Sequence, residues 1–156
     1  MVYILQNKPF VITNPEHLES IVALIHDEFF VLDDVSFSKD EGIVHIPYRR
    51  ILHNHPGKLV RNWIISKTYE VDVIRSELTF YNVREYTIND RSHIGTYSFN
   101  TILYYDGVLT IKCCEDINLR MLVSNVKIEN RDLEIKGKAR ISRSIFWASN
   151  NSKVYD

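Results

Sequence analysis

Leu18-Glu19-Ser20-Ile21-Val22-Ala23-Leu24-Ile25-His26-Asp27-Glu28-Phe29 decides the fold by its contrast with the longer C-terminal part of the chain. Its apolar residues Leu18, Ile21, Val22, Ile25 and Phe29 recur at helical spacing, and Leu24 widens the stripe. From about Ile43 to Ile141 the apolar positions recur every second residue instead. That is the rhythm of strands with one face on a core. The contrast predicts an α+β domain. Its main part is an antiparallel β-sheet, a meander open or curled into a barrel or sandwich, with one N-terminal amphipathic helix packed on it.

Working outward, Thr13-Asn14-Pro15-Glu16 reads as a helix start: a capping residue, a proline in the first turn and an acid three positions after Thr13. The helix is expected over about 15–28. Burying its five or six apolar side chains would contribute on the order of 10 kcal/mol before entropy. Residues 2–5 and 10–12 read as a short strand or hairpin, with Pro9 at an edge or turn. Val35-Ser36-Phe37 and Ile43 to Tyr48 flank a polar turn that ends in Gly42. Pro56-Gly57 marks a loop, and strand patterns come next at about 59–65, 69–74, 78–83 and 85–88. Asp106-Gly107 between two strands predicts a type I′ hairpin turn, in which both residues take positive φ. A strand is expected near 119–128, a turn at Glu129-Asn130-Arg131-Asp132, and a last strand over 133–141. With no repeat and no linker, residues 1–147 form a single domain and 148–156 a flexible tail.

Composition narrows the class. Of 156 residues, 45% are apolar and 25% charged, which argues against disorder or a fibrous chain. No apolar run is long enough to span a bilayer, so no membrane role is expected. The N-terminus carries no basic leader, which makes a cytoplasmic location the expectation. The adjacent Cys113 and Cys114 point to opposite faces of a strand and read as reduced structural thiols. Charge is unevenly spread behind a net of −1. Through Glu41, eight acids stand against Lys8 and Lys39 alone; from Leu119 to Trp147, seven bases stand against three acids.

Three groups carry the functional reading. The first is acidic, at the helix exit: His26, Asp27 and Glu28, then Asp33 and Asp34. Acids there oppose the helix dipole, and the cost can mark a site that uses carboxylates. The second is His53-x-His55 in a loop, with His45 on the preceding strand as a third imidazole for a transition metal. The third is Lys136, Lys138 and Arg140, alternate residues of a strand and so aligned on one face, spanning about 13 Å. No nucleophile elbow, glycine phosphate loop or spaced Cys/His set accompanies them. The reading is therefore a non-enzymatic protein-interaction or binding module without cofactor. Its contacts are expected at Lys136, Lys138 and Arg140, then at Asp33 and Asp34. A protein partner is expected, and a homodimer through an edge strand is open to it. Dedicated nucleic-acid binding is not expected. The alternatives are a metal-assisted hydrolase or ligand-binding enzyme built on His53, His55 and His45, or a curved sheet enclosing an apolar ligand.

Overall fold

The structure, a computed structural model, describes residues 8–51, 58–62, 66–144 and 151–155. Strand makes up 63% of it, with one short helix on the sheet. In chain order the strands are β1 (Phe10–Ile12), β2 (Phe29–Val31), β3 (Ser36–Ser38), β4 (Ile43–Ile51), β5 (Lys58–Asn62) and β6 (Ser66–Phe80). Beyond these come β7 (Val83–Asp90), β8 (Thr96–Tyr105), β9 (Val108–Cys113), β10 (Ile117–Val123), β11 (Ile128–Ser144) and β12 (Asn151–Tyr155). Every pairing is antiparallel. The order across the sheet is β1-β11-β6-β4-β2-β8-β9-β10-β7, with β12 beside β11, β3 beside β4 and β5 beside β6.

The sheet does not close into a barrel. Its two flanks are nevertheless tied where the Val83 amide donates to the Gly42 carbonyl at 2.9 Å, and where the Phe37 ring meets Tyr86 edge-on at 5.9 Å. β8, β9 and β10 run as a meander through the expected turn, with Asp106 at φ 48° and Gly107 at φ 79°. The remainder is cross-connected, because β2 enters between β4 and β8 and β11 returns to lie beside β6.

The helix is shorter than its pattern. A 3-10 turn over Pro15–His17 leads into α1 (Leu18–Ile25), and the cap is Asn14, whose Oδ1 accepts from the Glu16 amide at 3.0 Å, not Thr13. The helix stops before Asp27, which takes φ 65°. That reversal lets the Asp27 amide donate to the Phe99 carbonyl and the Phe99 amide to the Glu28 carbonyl, both at 2.9 Å. Sheet pairing thus overrides helical periodicity over the last three residues of the expected span.

Leu18, Ile21 and Ile25 of α1 enter a core that also takes Val44 and Ile46 of β4, Leu78 and Phe80 of β6, and the inward faces of β8, β9 and β10. A smaller cluster, Ile51, Val71, Val73 and Ala139, lies on the opposite face toward the far end of the long β6–β11 ladder. Two expectations are corrected. The turn at Glu129–Asp132 falls inside β11, and the chain reverses at residues 124–127 instead. The strand pattern at 69–74 and the start of that at 78–83 belong to one strand, β6, which ends at Phe80, while Val83 opens β7. Asn151–Tyr155, within the stretch read as a tail, pair with β11. Cys113 is buried, Cys114 is exposed, and both are free. Among the described residues, no helix is long and apolar enough to cross a membrane.

Candidate functional site

Strand β4 builds two surfaces at once, since its side chains alternate between the core and the outer face of the sheet. Phe30, Tyr48, Ser76 and Asp132 lie directly across from one another on β2, β4, β6 and β11, forming one inward row. The row starts aromatic: Phe30 stacks on Phe99 at 4.6 Å, and Tyr48 meets Phe99 edge-on at 5.6 Å. It ends polar. The Tyr48 hydroxyl donates to Asn130 Oδ1 at 2.6 Å, and Ser76 Oγ donates to Asp132 Oδ1 at 2.8 Å. Arg50, two residues along β4, sends Nη2 to both Asp132 oxygens at 2.8 and 3.0 Å. The Asp132 side chain is only 5% exposed, so the guanidinium holds a charge that water barely reaches.

Glu28 joins this group through a break in the ladder. Phe29 pairs with Arg49 and Phe30 with Tyr48, so continued register would set Asp27 against Ile51 and Glu28 against Arg50. Asp27 has already left the sheet by its positive φ. The Ile51 amide therefore loses its backbone partner and donates instead to Glu28 Oε2 at 3.0 Å. Burial pushes the Glu28 carboxyl up to about 8, against the pull of the Ile51 amide and the Arg50 charge, with Asp27 adding to the rise. Burial likewise lifts the Tyr48 phenol above its ordinary range.

Each face of β4 carries a concavity. On the inner side, a cleft of about 250 Å³ opens between α1 and the sheet, lined by Lys8, Phe10, Ser20, Leu24, Arg50, Asn130 and Asp132. On the outer side, a groove of about 510 Å³ runs across β8, β2, β4 and β6. Its floor includes Phe29, Val31, Pro47 and Ile51, and Asp34, Arg49, Arg75 and Thr96 supply polar groups. Phe29 and Val31 are 42% and 40% exposed, well beyond the outward residues of a covered strand. A second row crosses this face: Phe29 on β2, Arg49 on β4, Arg75 on β6 and Glu134 on β11, each opposite the next. Glu134 lies 3.5 Å from Arg75, whereas Arg49 and Arg75 set two cations directly across one antiparallel pair.

The acidic group expected at the helix exit is divided by the fold. Glu28 turns inward and is buried, Asp27 is exposed, and Asp33 and Asp34 end a 3-10 turn over Leu32–Asp34. Of the two, Asp34 lines the outer groove. Among the basic residues expected as a row, Lys138 pairs in register with Asp72 and Arg140 with Glu70. Lys136 is the extra residue of a bulge between the Ile135–Ile74 and Gly137–Val73 pairs. His53 and His55 lie outside the described residues. Nδ1 of His45 sits 3.2 Å from Glu77 Oε1 and 3.2 Å from Thr79 Oγ1. Among the described residues, no three His, Cys, Asp or Glu are grouped as a metal ion requires.

Sequence reasoning missed the inward polar group and the outer groove. A signal for the first was present: Tyr48, Arg50, Ser76, Asn130 and Asp132 occupy core-facing positions whose neighbours on the same face, such as Ile46, Leu78 and Ile128, are apolar. The groove left no such mark, because it depends on β2 lying between β4 and β8. Compared with known proteins, the chain matches no family model, no curated protein and no solved structure.

Proposed function

We propose that this protein is a non-enzymatic, cytoplasmic binding module whose outer groove receives a segment of a partner protein. The segment is one in which an apolar side chain is flanked by acidic residues. The carrying observation is the outer row, where Arg49 and Arg75 oppose each other in register beside the half-exposed Phe29 and Val31. A carboxylate of the partner segment would meet this pair of cations while its neighbour covers the exposed apolar side chains. The two free cysteines, one of them exposed, support a reducing compartment. Lys136, Lys138 and Arg140 on β11 serve in this reading as a second, basic contact surface.

Panning a random-peptide display library on the immobilised protein tests the assignment. Selected peptides should combine Asp or Glu with Leu, Ile or Phe, and their affinity should fall with salt. Arg75→Glu should weaken a selected peptide by tenfold or more, and Phe29→Ser by a similar factor. Peptides without acidic enrichment, or binding indifferent to both substitutions, would remove the groove from consideration. The triple reversal of Lys136, Lys138 and Arg140 to Glu separates the two surfaces, because it should leave groove-selected peptides bound.

A further inference from the structure

The inner cleft opens on the other side of β4 and plays no part in the outer groove. Three elements that are distant in sequence make it: the segment before β1 and β1 itself supply Lys8 and Phe10, α1 supplies Ser20 and Leu24, and the sheet supplies Arg50, Asn130 and Asp132. Asn130 is 5% exposed. Its Oδ1 is taken by the Tyr48 hydroxyl at 2.6 Å, which leaves the amide Nδ2, a double donor, as its remaining group at the cleft. An amide nitrogen on a buried residue that lines a cleft is a place for an acceptor. The one carboxylate present does not supply it. Both Asp132 oxygens take Arg50 Nη2, at 2.8 and 3.0 Å, and Oδ1 also takes Ser76 Oγ at 2.8 Å. With Lys8 and Arg50 against Asp132, the lining carries one net positive charge.

We infer that this cleft is a binding site for a small monocarboxylate with a short apolar body. The carboxylate accepts from Asn130 Nδ2 and faces the Lys8 ammonium, with Ser20 as a further donor, while Phe10 and Leu24 wall the apolar part. The volume of about 250 Å³ equals the share of roughly eight waters, which fits an acid of the size of isovalerate or benzoate. A ligand so small binds weakly, with a Kd of about 1 mM.

The test is a titration of the full chain with isovalerate, followed in proton–nitrogen correlation spectra. The expected result is saturable movement of the Asn130 side-chain amide pair, with isovaleramide and inorganic phosphate producing none. Lys8→Glu, an exposed position that leaves the core intact, should weaken isovalerate at least tenfold. Asn130→Leu should abolish the isovalerate-dependent shifts of the Ser20 and Leu24 backbone amides at the cleft. Three results would overturn the inference: an Asn130 amide unmoved by isovalerate, equal shifts with isovaleramide, or unchanged affinity in Lys8→Glu. Tighter binding of phosphate than of isovalerate would do so too, by making the cleft an inorganic oxyanion site. Groove substitutions such as Arg75→Glu should leave this titration untouched, so the two sites succeed or fail independently.

Discussion

Burial keeps the Glu28 carboxyl protonated over a pH range in which the same group ionises in an unfolded chain. Its folded value is raised from 4.5 to about 8, so between those limits the native state holds a proton that the unfolded state releases. Stability from this group is complete below the lower limit, declines through the window, and is gone above the upper one. The loss is roughly 2–5 kcal/mol. Urea unfolding across the window should show wild-type stability falling with pH. Glu28→Gln, which keeps an acceptor for the Ile51 amide, should lack that slope and exceed the wild type at high pH. A variant retaining the slope would move its origin to another residue. This role could not be read at Glu28 itself, which stands among other acids in the sequence. It arises because Asp27 turns out of the sheet and leaves the Ile51 amide to the side chain beside it.

Elements were legible where one physical cause acts and misread where two compete. The Asp106-Gly107 hairpin needs only its own backbone, and the structure forms it as expected. β11 is the opposite case. Asn130 and Asp132 look like turn residues because they are polar, yet they are buried against Tyr48, Arg50 and Ser76. A satisfied internal polar group imitates a loop in any reading based on alternation. The turn before β4 carries a sharper constraint. Gly42 takes φ 68°, and a Cβ there would stand 3.0 Å from the Val83 carbonyl oxygen. Gly42→Ala should therefore cost about 1–3 kcal/mol, from left-handed strain and from pressure on the tie between β4 and β7. Thermal unfolding measures it, and a neutral substitution would show that the tie gives way freely.

At the scale of the molecule, helix-on-sheet was legible from periodicity, but strand order was not, because it is set by contacts between distant segments. Its key is β2. Among the described residues, Phe29–Val31 form the only strand pairing that joins the β1-β11-β6-β4 side of the sheet to the β8-β9-β10-β7 side, beside the single Gly42–Val83 tie, although one core fills both. Native-state hydrogen exchange should therefore find the Leu32 amide, bonded to the Gly95 carbonyl at 2.9 Å, opening before amides in the middle of β6 or β10. Simultaneous exchange of all three would describe a sheet without a weak line. The outer groove lies across this same joint, with Thr96 on one side and Arg49 and Arg75 on the other. Whatever settles over Phe29 and Val31 thus works as a splint on a book's spine, and its arrival would be felt as stiffness in pages it never touches.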